Sequence, residues 1–426
     1  MAAWRVSSPQ PMDKAGDGST PSVRYGHGAV AYGSSMVVTH GYYFDTESGG
    51  PVYLDDTWAF DASRKRWSRW ETSAMKPCGR FWHSVAAGGD AMYAFGGTDG
   101  GRRSNDGATF VFGPASEMND LWRLPLASDC LSDAPRLWER LHGGGTDERD
   151  AVDADGRACP RKRHLAGAAA AGGRLWVFGG LAGDASGLPD GLGALGDLWS
   201  FSDERGWALE AAAAGGAPAA RYGHGMVADG AADGAGGGAF LVAGGRERHV
   251  EDEDLRLIFD DLWRCDVGGA AATWTRLGRD PLLRRTEAAV ARVGREVVVY
   301  GGNVAEAMCA DLPADGALFD TELGCAAPLP VAGDADAEGR FAPYGRRHAT
   351  CVAVTLAEDA AHQLLLLFGG ESTDPFMYHG SVFEARLFFP GTPERAASPG
   401  PETPADGAEE AKEGIDIEQF ASTNLE

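Results

Sequence analysis

Arg221-Tyr222-Gly223-His224, the apolar run Ala239 to Ala243 closed by Gly244-Gly245, then Asp260-Asp261-Leu262-Trp263 and Trp274-Thr275-Arg276-Leu277: how this stretch is read decides the fold. Short apolar segments separated by Gly, Asp and charged loops are too short for helices and suit strands. Paired Gly after a strand tolerates positive φ and close backbone approach, and so ends the strand in a turn that a Cβ would resist. The Asp before Leu-Trp can bond nearby backbone in a turn. Four strands make one small sheet, which cannot bury both faces alone, so Trp263 and Trp274 call for neighbouring sheets.

Copies of the pattern recur along the chain, six in all, starting near residues 21, 77, 160, 218, 282 and 343. The first has Arg24-Tyr25-Gly26-His27, Met36 to His40 with Gly41, then Asp55-Asp56-Thr57-Trp58 and Trp67, with Tyr42 in place of its second Gly. The second has Arg80-Phe81-Trp82-His83, Gly96-Gly97, Asn119-Asp120-Leu121-Trp122 and Trp138. The third has Arg161-Lys162-Arg163-His164, Gly179-Gly180, Asp197-Leu198-Trp199 and Trp207. The fifth has Arg284-Arg285-Thr286-Glu287, Gly301-Gly302 and Leu318-Phe319, with no closing Trp. The sixth has Gly345-Arg346-Arg347-His348, Gly369-Gly370 and Val382-Phe383.

With these residues in place, the chain resembles the kelch-repeat proteins, whose repeats each form one blade of a β-propeller. The resemblance covers roughly Ala2 to Pro390 and implies an all-β, six-bladed propeller over residues 1–390. The sixth copy lacks a fourth strand, while Ala3-Trp4-Arg5-Val6 precedes the first copy as an orphan; residues 2–8 are expected to complete the last blade and remove the open edges. Residues 391–426 are rich in Pro, Ala and acids, and are expected to be a disordered acidic tail.

Composition narrows the function classes. The 426 residues carry a formal net charge of −24, which opposes nucleic-acid binding and contact with an anionic membrane. No run approaches the roughly 20 apolar residues of a membrane helix, and Met1 to Gln10 lacks the pattern of a secretory signal. Seven scattered Cys without paired spacing argue against a disulfide framework or a zinc site and for the cytoplasm or nucleus. Phosphate-loop, nucleophile-elbow and His-Glu-x-x-His motifs are absent, and no cofactor is expected.

The candidate functional constellation is the Arg of each copy. Arg24, Arg80, Arg161, Arg221 and Arg284, with Arg346 and Arg347 in the sixth, are read as equivalent positions around the propeller axis. A guanidinium ring in an acidic protein would focus positive potential at one channel mouth and bind carboxylates bidentately, pointing to protein or acidic-peptide ligands. The competing reading is that the Arg-x-x-His element simply bonds loops between blades. His27, His83, His164, His224 and His348 are read at matching positions, but sheets about 10 Å apart cannot bring five imidazoles to one metal ion. Glu287 is either an acid placed among arginines for chemistry or the mark of a degenerate blade.

The insertions Thr98 to Glu117 and Leu181 to Leu195 both follow the paired Gly and should emerge on one face, where repeat folds often bind. The resemblance implies a monomeric, non-catalytic interaction module, an adaptor or substrate-recognition propeller. Two alternatives stay open: a kelch-like enzyme acting on a small sugar, of mutarotase or oxidase type, and a scaffold that binds through its rim.

Overall fold

The computed structural model describes residues 5–8, 18–100, 102–103, 110–111, 117–126, 136–143, 157–183, 192–211, 216–230, 238–248, 256–304, 312–329, 345–356, 359–373 and 376–386. Six antiparallel four-stranded sheets account for the fold, five built from consecutive strands in up-and-down order and the sixth completed by the first strand of the chain. Blade 4, which contains the quoted stretch, runs Gly225–Ala228, Ala239–Ala243, Asp261–Asp266 and Thr273–Arg279 from axis to rim. The expected acidic tail, 391–426, lies outside the described residues.

Burial inside the sheets follows the aromatic signature. The outer-strand Trp of a blade packs on the second-strand Phe of the blade before it: Trp67 on Phe368, Trp207 on Phe95 and Trp274 on Phe178, each with ring centroids 5.1 Å apart. Each of these contacts bridges two blades, and truncating such a buried aromatic typically costs about 3–5 kcal/mol. Blade 5 lacks the Trp; its outer strand is Cys325–Pro328, and the 3-10 turn Pro281–Leu283 brings Leu283 into the core between blades 4 and 5.

Two rings of backbone hydrogen bonds run round the axis and close the disc. In the first, the amide of the second residue of each strand-ending pair donates to the Arg carbonyl of the next blade. The bonds are Gly41 to Arg80, Gly97 to Arg163, Gly180 to Arg221, Gly245 to Arg285, Gly302 to Arg346 and Gly370 to Arg24, at 2.8–2.9 Å. The paired residues all have positive φ, and in blade 1 the pair is His40-Gly41, with His40 at φ 59°. Tyr42 is therefore not a substitute for the second Gly; His40 replaces the first.

The second ring lies two residues after each Arg. Trp82 donates to Gly26, Leu165 to Trp82, Gly223 to Leu165, Glu287 to Gly223, His348 to Glu287 and Gly26 to His348, at 2.6–3.2 Å. All six residues are left-handed, with φ between 53° and 63°. Four of them carry a Cβ, so backbone strain is accepted there for the sake of closure.

The N-terminal strand Arg5–Ser8 pairs antiparallel with Val382–Arg386 as the fourth strand of blade 6, Val6 facing Phe383. The chain's start thus completes its last blade, and no blade is left with three strands. The Lys65 ammonium of blade 1 pairs with Glu384 of blade 6 and ties the two blades together. Removal of residues 1–8 should lower the melting midpoint by many degrees, read by circular dichroism; an unchanged midpoint would show that blade 6 holds without its outer strand.

Candidate ligand-binding mouth

The repeated Arg is a structural clasp. Arg24, Arg80, Arg163, Arg221, Arg285 and Arg346 are buried, and each donates through Nη1 to the carbonyl of the first residue in its own blade's strand-ending pair, at 2.8–3.0 Å. Four also bind an Asp through both terminal nitrogens: Arg24 to Asp56, Arg80 to Asp120, Arg163 to Asp197 and Arg221 to Asp261. The same Asp accepts from the indole Nε1 of Trp58, Trp122, Trp199 or Trp263 at 2.6–2.7 Å. Burial alone would raise these carboxyls, but the facing guanidinium and indole hold them below the usual range, Asp56 at about 2.

This corrects the expected guanidinium ring. Arg24, Arg80, Arg221 and Arg346 are committed inside their blades and offer no face to a ligand carboxylate. Arg161 and Arg284 are not at the repeat position at all; Arg163 and Arg285 take it, because only they sit at the distance from the strand-ending pair that lets Nη1 reach the carbonyl. Arg347 alone of the seven candidates reaches the mouth. In blade 5 the residues corresponding to Asp-Leu-Trp are Asp315-Gly316-Ala317 rather than Leu318-Phe319, as the pairing of Val299 with Ala317 shows.

The histidines likewise do not form one ring. His27, His83 and His224 occupy the fourth position of their segments, His164 the second and His348 the third. Burial depresses His27 and His83 well below the ordinary value and takes His224 and His40 down to about 3. Among the described residues no group of three or more His, Cys, Asp or Glu side chains is placed to hold a metal ion.

What faces the axis is the tier above the clasps. The residue after each Arg bridges to the residue after each strand-ending pair: Tyr25 to Tyr42, Phe81 to Thr98, His164 to Leu181, Tyr222 to Arg246, Thr286 to Asn303 and Arg347 to Glu371. Beside them the left-handed ring residues bound a cavity of about 130 Å³. Among the described residues hairpins stand at this end in five blades, including the extension Gly41 to Leu54 in blade 1, Leu181–Gly183 with Leu192–Ala194 in blade 3 and Arg246–Arg248 with Arg256–Ile258 in blade 4. Both insertions singled out in the sequence, after Gly97 and after Gly180, therefore rise from the same end of their blades.

The mouth is chemically divided. Blades 1 and 2 and the hairpin of blade 6 give aromatics: Tyr25 stacks on Tyr378 at 5.5 Å, meets Tyr42 edge-on at 5.1 Å, and lies 6.5 Å from Trp82. Trp82 in turn stacks on His164 at 5.4 Å and tilts against His348 at 5.3 Å. Blades 4 to 6 give charge. Glu287 accepts from Arg246 Nη2 at 2.5 Å, with His348 Nε2 at 3.2 Å and Arg347 Nη1 at 3.5 Å. Arg347 is further held by Glu371 at 2.7 Å. Burial would raise the Glu287 carboxyl, but His348 and Arg246, with Arg347, push it well below the carboxylate range, which makes it a weak proton acceptor.

Arg246 is the residue that sequence reasoning missed. It is buried beside Tyr222, with the guanidinium 5.0 Å over the ring, yet its Nε and Nη1 have no hydrogen-bond partner among the described residues. Buried donors of a charged group are costly when unpaired. The signal was available: the residue directly after each paired Gly is Tyr42, Thr98, Leu181, Arg246, Asn303 or Glu371, a set with no common packing role.

Fold and mouth together define a six-bladed β-propeller with its variable chemistry at the hairpin-bearing end. The KLHDC2/KLHL20/DRC7 Kelch-repeats domain matches residues 4–134, and the same Arg, strand-ending pair and interblade bonds continue through blades 3 to 6. The chain is a six-bladed β-propeller whose first 134 residues carry the match to that Kelch-repeats domain. Over 90 residues it is 33% identical to the Leucine-zipper-like transcriptional regulator 1 homolog of Drosophila melanogaster, covering 21% of this chain and 9% of that protein. Over 305 residues it is 28% identical to Serine/threonine-protein phosphatase BSL2 of Arabidopsis thaliana, covering 67% of this chain and 25% of that protein. The matched region thus spans a quarter or less of either relative's length.

Two outcomes follow from the clasps and the buried imidazoles. Replacing Arg80 or Arg221 by Met strands a buried carboxylate and should cost about 3–5 kcal/mol in denaturant unfolding, whereas Arg161→Met should stay within about 0.5 kcal/mol. The buried histidines bind protons in the unfolded chain near pH 6.5 but in the folded chain only near 3, so their stability is present above about 6.5 and is lost as pH falls. Melting midpoints should therefore drop between pH 6.5 and 4, ahead of the paired Asp56 carboxylate, which protonates only near 2.

Proposed function

We propose that this propeller is a non-catalytic protein-interaction module that takes a protein or peptide ligand across its hairpin-bearing end, as an adaptor or substrate-recognition subunit. The observation that carries the reading is Arg246, a buried guanidinium that meets the mouth through Glu287 and whose Nε and Nη1 have no partner among the described residues, on a different blade from the aromatic half centred on Tyr25 and Trp82. A guanidinium suits a carboxylate, which would take a fork made of Nη2 with Nε or Nη1 and so share Nη2 with Glu287, and flat aromatic rings nearby suit the apolar part of the same ligand. Kelch propellers generally bind proteins, which supports the class without naming the partner. Arg347, the one candidate from the original arginine set at this mouth, is a secondary contact.

Other support is compositional. Among the described residues Cys78, Cys159, Cys265, Cys325 and Cys351 are free thiols, in keeping with a reducing compartment such as the cytoplasm or nucleus. No helix among the described residues is long and apolar enough to cross a membrane.

The test is affinity capture from a lysate of the source cells, with wild type compared with Arg246→Met and with Arg205→Glu, an exposed turn residue at the other end of the strands. Partners recovered by wild type and Arg205→Glu but lost with Arg246→Met, all three proteins melting alike, would bear the reading out. A partner set indifferent to Arg246 would move the interface to the rim.

A further inference from the structure

The mouth is occupied from within. Of the six ring residues that face the axis, only Glu287 is a carboxylate, and it accepts from Arg246 Nη2, a guanidinium whose Nε and Nη1 have no hydrogen-bond partner among the described residues. Its two carboxylate oxygens contact Arg246, Arg347 and His348, the arrangement that an incoming carboxylate would need. The local charges balance: the guanidinium groups of Arg246 and Arg347 face the carboxylates of Glu287 and Glu371.

We infer that Glu287 is a built-in competitor, a specificity-determining residue that occupies the Arg246 site and sets how strongly an anionic ligand binds. The inference rests on the proposed reading of this mouth as a peptide site. Its physical basis is exchange: a ligand carboxylate gains Arg246 only by sharing or displacing a contact already made in the free protein, so only the difference between the two is available as affinity. A polyacidic ligand also meets Glu287 and Glu371 as like charges, which disfavours it relative to a ligand with a single carboxylate beside an apolar group.

The position explains how one residue can do this. Glu287 is fixed by its left-handed backbone and by the ring bonds from its amide to Gly223 and from His348 to its carbonyl. Gly223 is needed for it: a Cβ there would come within 3.2 Å of Glu287 Cγ and within 2.5 Å of Thr286 Oγ1. The carboxylate is thus held over blade 4 by the ring, independently of any ligand.

The experiment is fluorescence anisotropy at low salt with two labelled probes, octaglutamate and octaglutamine, on the full chain. Glu287→Gln should bind octaglutamate about tenfold or more tightly than wild type, with octaglutamine unchanged and with the gain abolished by adding Arg246→Met. Because removing one buried carboxylate can weaken folding, the charge-balanced pair Glu287→Gln/Arg347→Gln is compared with Arg347→Gln alone and should show the same direction of change. Equal octaglutamate affinity with and without Glu287, in either comparison, or a gain that survives the loss of Arg246, would overturn the competitor. If no protein of the set binds octaglutamate at all, the carboxylate site itself fails, a result distinct from binding that Glu287 does not alter.

Discussion

Everything in this propeller hangs on a buried arginine that ties three strands of its own blade to the blade that precedes it. The guanidinium fastens the end of the second strand through a carbonyl and, in five blades, the start of the third strand through an Asp, while the arginine's own carbonyl accepts from the preceding blade. A charge so deeply buried is tolerable only because every donor direction matters and most are met by fixed acceptors. In blade 5 the carboxylate partner, Asp315, is exposed, and in blade 6 Ser381 stands where the Asp would be; Arg346 there is pushed down to about 10, chiefly by burial. The clasp is therefore strongest where the Asp-Leu-Trp motif is intact and weakest next to the seam that the N-terminal strand closes.

The strands and their grouping were legible because apolar runs and paired glycines announce themselves by type and period. Even the seam could be read, from a missing strand at one end and a spare one at the other. Register was harder. Four of the clasps span 16 residues from Arg to carbonyl, while blades 4 and 6 span 23. Blade 4, with its clean motifs, is one of the two long ones, so a ruler taken from it cannot tell Arg163 from Arg161 or Arg285 from Arg284. The regular spacing of 16 would have done so. The site was misread for a related reason: repetition marks what holds blades together, whereas the functional positions are those where the six copies disagree.

That disagreement is organised. Under near six-fold backbone geometry, aromatic residues gather on blades 1, 2 and 6 and ionic ones on blades 4 to 6, so a symmetric frame presents a directional surface. A ligand lying across the axis meets a flat, polarisable side and a charged side at a fixed separation, and its orientation is chosen before any hairpin is touched. Blade 5, which departs most from the repeat, supplies Glu287; its weaker resemblance reflects the chemistry placed there as well as the altered packing around Leu283.

The left-handed ring around the axis also behaves as a set of coupled sockets. Its backbone is the same whether the side chain is absent, aliphatic, aromatic or acidic, so a group can be exchanged at one socket without rebuilding the frame. Neighbouring sockets are not independent, however: a methyl on Gly26 would press on Trp82, and one on Gly223 on Thr286 and Glu287. Trp82 and Glu287 each follow a bare socket, Gly26 and Gly223, which leaves them the space they fill. Diversity at the mouth is thus bounded by crowding round the circle, and a change of specificity at one blade is felt first by the blade beside it.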